Sequence, residues 1–236
     1  MKACIVAVGS EMLTPFRVDT NSLVVTDQLN AIGFDVRLKV VVGDDIRELA
    51  VVVASALTWA DAVVIIGGLG PTDDDVTRQA LADVLQVPLD LHEPTIERLE
   101  QRAARRGISM PAINRRMALV PRGAVLIDNP NGAAPGLWIE SGAKIAVLLP
   151  GPPREIHPMF QTLVLPRLEA RTGGRRLHRR VLKITGRAES QVDEIAEPVY
   201  SPLRQQPVAI ETTILATPGQ IELHLSAAGS DLPAVD

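Results

Sequence analysis

Three successive units, each a short apolar run followed by a segment of helical period, constrain this 236-residue chain more than any other feature. The runs are KACIVAVG (2–9), FDVRLKVVVG (34–43) and DAVVIIGG (61–68), rich in β-branched residues and closed by glycine. A helix is expected at about residues 20–32, with Leu23, Val24 and Leu29 on one face and Gly33 as its stop. A second follows a cap at Asp44 or Asp45, its apolar face being Ile46, Leu49, Ala50, Val53 and Leu57. A third carries Val76, Ala80, Leu81, Val84 and Leu85. Repeated strand–helix units wind into a doubly wound α/β sheet, and the continuously apolar third run belongs at its centre, paired in parallel.

The next helix, EPTIERLEQRAARRG, has Pro94 in its first turn and Gly107 as its stop. A hairpin-like region follows: GAVLID, LWIE and IAVLLPG, separated by the turns NPNGAAPG and SGAK. In the helix PPREIHPMFQTLVLPRLEA, Pro158 predicts a late start or a kink. We place a boundary at 172/173, where RTGGRR acts as a linker. Beyond it HRRVLKITG, AESQVDEIAEPVY, PVAIETTILATP and GQIELHLSAAG predict a small α+β unit. SDLPAVD (230–236) reads as the start of an uncompleted helix, which leads us to expect a longer natural chain.

Net charge of −4 and a pI near 5.6 argue against a dedicated nucleic-acid binder. The basic cluster RRLHRR (175–180) reads as a solvated strand entry. Cys4, the single cysteine, sits in an apolar run and is expected in the core, as are Trp59 and Trp138. The N-terminus lacks a signal-peptide pattern and no window approaches a membrane span, so cytoplasm is the default. Serine-elbow, zincin, redox and P-loop motifs are absent, and four scattered histidines suggest no triad; His157 reads as a surface or capping residue.

The unusual motifs all fall where strands end, the edge at which open parallel sheets bind ligands. Gly9, Ser10 and Glu11 follow the first run, with Asn21 beyond, and Asp44 follows the second. Gly67, Gly68, Gly70, Pro71, Thr72, Asp73, Asp74 and Asp75 follow the third, and Gly151 follows a late run. Taken singly, glycines here serve turns and aspartates serve helix caps. Taken together, exposed N–H groups at a strand–helix turn make a phosphate cradle, while adjacent carboxylates repel a phosphate. A divalent cation bridging the two removes the conflict, and oxygen-ligating Mg²⁺ suits it. Metal-assisted chemistry on a phosphorylated, nucleotide-like ligand is the expectation.

VGSEML, DTNS, GFDV, VVGDD, GGLGPTDDDVTRQAL, NPNGAAPG and LLPGPPREIHPMF, in this order, resemble the CinA family of competence/damage-inducible proteins. The resemblance is strong over about residues 1–170. It implies a three-layer α/β/α, mostly parallel domain of the MoaB, MogA and MoeA molybdopterin-binding type, and a KH-type segment in the tail. It also implies ADP-ribose pyrophosphatase activity, giving AMP and ribose 5-phosphate with a divalent ion (Mg²⁺ or Co²⁺), or else non-hydrolytic molybdopterin binding. Carried over by position, Asp75, Asp44 and Glu11 become the catalytic and metal-holding acids. Asp73 and Asp74 are secondary candidates, and Asn21, Asn131, Gly132 and Gly151 line the crevice. Asp19 departs from the family's usual asparagine, which changes the expected crevice floor. The family's carboxy-terminal amidase domain is not in these residues, so deamidation of nicotinamide mononucleotide is not expected. TGRAES lacks the G-x-x-G loop of RNA-binding KH units, so no nucleic-acid partner is expected. A homodimer follows from the resemblance alone.

Overall fold

The computed structural model describes residues 1–205, 208 and 210–229. It divides into two compact units, one formed by residues 1–29 and 35–168, the other by 30–34 and those from 169 onward. In the first, β1 (Lys2–Val8) leads through a 3₁₀ turn to α1 (Asn21–Ala31), then β2 (Asp35–Val42), α2 (Ile46–Trp59) and β3 (Ala62–Ile66). The chain continues through α3 (Thr77–Leu85), β4 (Leu89–Leu91), α4 (Glu93–Ala104), a 3₁₀ segment and β5 (Leu119–Pro121). It closes with β6 (Val125–Ile127), β7 (Gly136–Ser141), β8 (Lys144–Leu149), α5 (Pro153–Met159) and α6 (Leu165–Glu169).

The sheet order is β2-β1-β3-β8-β7-β6. β2, β1, β3 and β8 run parallel, and β7 and β6 add antiparallel at one side. This is the expected α/β fold with a mostly parallel sheet. β3 is buried along its whole length between β1 and β8, as its unbroken apolar run predicts. Cys4 lies in the same core, fully buried, and burial pushes its thiol up to about 11, which makes it an inert packing residue.

Two local expectations are amended and two pairs of alternatives are narrowed. Leu23 is exposed, and α1 instead buries Ser22, Val25 and Leu29, a face turned by one position from the expected one. Asp45 alone caps α2, accepting from the N–H groups of Arg47 and Glu48, which frees Asp44. Trp138 is buried, whereas Trp59 is only partly so. Pro158 does not delay its helix. It lies inside α5, a π-helical turn over Phe160–Val164 follows, and the carbonyl of Arg154 that Pro158 cannot reach accepts from Asn131 Nδ2 at 2.8 Å. The short antiparallel pair β4–β5 was not anticipated.

The second unit holds β9 (Arg176–Ile184), α7 (Glu189–Tyr200), β10 (Ile210–Thr217) and β11 (Gln220–Gly229), the strands forming an antiparallel sheet in the order β10-β11-β9. The basic cluster enters β9, an edge strand that is mostly exposed. The helix start expected at SDLPAVD lies outside the described residues.

The α2 cap gives a pH test. Two N–H donors hold the Asp45 carboxylate below the usual aspartate range, so its contribution is present above about pH 4 and is lost as pH falls through the lower folded value. Asp45→Ala should lower the melting temperature at pH 7, and the difference from wild type should shrink below about pH 4 in calorimetric scans.

Candidate functional site

The chain steps from β1 outward to β2, then returns across β1 to β3. The order therefore reverses at β1 and β3, and in open α/β sheets the ligand crevice lies beyond the carboxyl ends of such a strand pair. A crevice of about 440 Å³ opens there. Its walls include Gly9 and Glu11 after β1, Asp44 after β2, Gly67 to Pro71 with Asp74 and Asp75 after β3, and Pro150 to Pro152 after β8. Four separate strand ends thus bring together ten of the residues singled out from sequence.

The loop after β3 is built around Asp75. Its carboxylate accepts from Gly70 N–H at 2.6 Å, Thr72 N–H at 2.9 Å and Thr72 Oγ1 at 2.6 Å. A side chain at Gly70 would collide with that carboxylate. Behind the loop Arg78, 4% exposed, donates to the carbonyls of Leu69 (2.5 Å) and Gly70 (3.4 Å). Burial pushes its guanidinium down to about 10, and the charge of Asp75 opposes that shift. Gly67 and Gly68 both have positive φ, and Cβ atoms there would strike the Val8 carbonyl and the Thr77 hydroxyl. Asp75 therefore closes the turn before α3 and does not cap the helix, whose N-cap is Val76.

This arrangement narrows the expected cradle. The N–H groups of Gly70 and Thr72 are already held by Asp75, whereas those of Gly68 and Leu69 donate to no acceptor among the described residues. Asp44 latches the first two loops: its Oδ2 accepts from Ser10 N–H at 2.8 Å, and its own N–H donates to Ser10 Oγ at 3.1 Å. Asn21 Nδ2 donates to the Gly151 carbonyl at 2.7 Å, fixing the loop after β8. Ser10, Asn21 and Thr72 thus support the crevice without lining it.

Three residues sit elsewhere. Asp73 points to solvent and pairs with Arg116. Asn131 bonds the Arg154 carbonyl, and Gly132 presses on Glu155 and lines a neighbouring cavity. Among the described residues no three histidine, cysteine or acidic side chains gather closely enough to hold a metal ion. The set of Glu11, Asp44 and Asp75 is therefore not preassembled as a metal cage: Asp75 spends its oxygens on its own loop, and Asp44 spends one on the loop after β1.

Sequence reasoning missed Glu155 and Arg78. Glu155 is 8% exposed, lines the crevice and accepts from Asn129 Nδ2 at 2.9 Å. The signal was present, since an acid one turn beyond PGPP repeats the logic applied to Glu11. His157, two residues on, is half-buried and does not line the crevice.

Residues 4–170 match the family described as the probable molybdopterin-binding domain. The chain belongs to this family. Its relatives are CinA-like: the crystal structure of the protein CinA, of unknown function, from Thermoplasma acidophilum is similar with a TM-score of 0.65 at 32% identity, covering 69% of this chain and 96% of that one. CinA-like proteins of Solibacter usitatus and Acidobacterium capsulatum are each 44% identical over 96% of this chain. Only 54% and 55% of those proteins are covered, so the chain spans about half the length of the curated relatives it matches. The family match contains every wall of the crevice. Among the described residues no helix is long and apolar enough to cross a membrane.

Removing the Asp75 carboxylate leaves the Gly70 and Thr72 N–H groups unpaired and takes away the negative charge that favours the Arg78 cation. Asp75→Ala should cost about 1–3 kcal/mol in urea unfolding. Asp75→Asn, which keeps one accepting oxygen, should cost less.

Proposed function

We propose that the crevice binds a phosphorylated, nucleotide-like ligand. The observation that carries this reading is the pair of open N–H groups, Gly68 and Leu69, at a strand-end turn on the reversal point of the sheet. They would take phosphate oxygens, while Glu155 and the other carboxylates would accept from ligand hydroxyl or amino groups. A pterin phosphate of the kind the family's description names satisfies the same chemistry. On this reading the protein works as a binding module.

The second reading is hydrolysis of a nucleotide pyrophosphate, with ADP-ribose giving AMP and ribose 5-phosphate. It is favoured by Glu11, Asp44, Asp74, Asp75 and Glu155 all lining the one crevice. The donor set suits a cation that arrives on the ligand's phosphates, since Mg²⁺ commonly takes only one or two protein carboxylates. One or two of Glu11, Asp44 and Asp74 would hold it, and such an ion would polarise phosphorus and activate water. From the family resemblance we also read the chain as a cytoplasmic homodimer whose second unit is KH-type.

Thermal shift tests binding, and product release separates the two readings. ADP-ribose at about 100 times its Kd should stabilise the protein by about 2.7 kcal/mol, and Gly68→Val should abolish the shift. AMP release on adding Mg²⁺ or Co²⁺ would establish hydrolysis, and a shift without AMP would establish the binding module. No shift with ADP-ribose, nucleotides or pterin phosphates would overturn both.

A further inference from the structure

Arg98, Arg102 and Arg105 recur at i, i+4 and i+7 along α4 and its cap, which puts them on one face. With Asp128 and the loop 129–133 they enclose a second cavity of about 180 Å³. It shares only Ala133 with the crevice.

Its charge is only partly compensated. Arg98 pairs with Asp128 at 2.6 Å, and its other end reaches the Ala133 carbonyl only at 3.5 Å. Arg102 makes one long contact, 3.5 Å to the Asn131 carbonyl. The Arg105 guanidinium has no hydrogen-bond or ion-pair partner among the described residues. Three cations against one carboxylate leave a formal +2 in a concave site, which attracts anions.

The facing wall is already built. Asn129 Nδ2 donates to the Ala134 carbonyl at 2.8 Å as well as to Glu155, and Asn131 is tied to Arg154. A side chain at Gly132 would collide with Glu155 and Asn129, so the loop is packed down and its backbone borders the cavity. Helix-end electrostatics would account for Arg102 and Arg105, because cations are favoured in a helix's last turn. They do not account for Arg98, which lies further back, or for the concavity.

We propose that this cavity is an anion subsite for one phosphoryl group, distinct from the glycine crevice. It is smaller than the roughly 300–1,000 Å³ of pockets that bury a whole small molecule, so it suits one group. Guanidinium forks match phosphate oxygens in a bidentate manner. The proposal rests on α4 and its facing loop and stands apart from the crevice reading.

Inorganic phosphate is the probe, titrated calorimetrically into the full chain at low ionic strength, where exposed charge is least screened. The Arg102→Gln/Arg105→Gln protein should bind phosphate about tenfold or more weaker than wild type. Arg102→Lys/Arg105→Lys keeps the helix-end charge, so it should retain the wild-type melting temperature while losing part of the affinity with the fork geometry. Equal phosphate affinity in all three proteins, with only the Gln variant losing stability, would assign the arginines to the helix end and overturn the subsite. Absence of millimolar phosphate binding by wild type would do the same. Nucleotide shifts at the crevice should survive both double variants, which keeps the two readings separable.

Discussion

The Asp75 carboxylate occupies the N–H groups that its own glycine loop would otherwise offer to a ligand, and the geometry of the crevice follows from that contact. Gly70 and Thr72 are drawn back onto the start of α3, and Gly70 can carry no side chain because the carboxylate lies against it. Arg78 holds the carbonyls of the same loop from the buried side. Pinned through both donors and acceptors, the loop leaves the N–H groups of Gly68 and Leu69 open at the crevice wall among the described residues. Acid and glycine stand together here for an internal reason: the turn carries its own anion. Any cation at the site is an addition to this arrangement.

Sheet order decides which loops can meet that turn. Because β1 lies between β2 and β3, the segments after all three strands emerge side by side, and β8 adds Pro150–Pro152 from the far side of β3. The loops then fix one another, Ser10 with Asp44 and Asn21 with Gly151. Residues distant in sequence become one rim through strand pairing and a few side chain–backbone bonds. Their own contact with a ligand is not required for that.

Much of this was legible because burial writes itself into composition. β3 is apolar throughout and is buried on both faces, and the glycine after each early strand marks where the chain turns. The helix face of α1 was misread because Leu23, Val24 and Val25 are adjacent apolar residues, and composition cannot say which of them faces inward. Strands β4 and β5, three residues each, are too short to show a period. The partner of Asp75 was hidden for a different reason. Whether an aspartate three residues past a G-x-x turn binds a cation, caps a helix or folds back on the loop depends on where the N–H vectors point. Those follow from the positive φ of Gly67 and Gly68.

The two cavities of the first unit differ in sign while sharing the wall residue Ala133. Five carboxylates line the crevice, and three guanidiniums line the cavity beside it. Asn129 and Glu155 form the partition between them, the amide giving one hydrogen to the loop carbonyl of Ala134 and another to the acid. On the crevice side Glu155 accepts from the neutral Asn129 amide. Among the described residues Arg102 and Arg105 have no carboxylate partner on the far side. The short stretch from Asn129 to Ala134 thus runs between two opposed charge environments, held by its asparagines and packed down at Gly132.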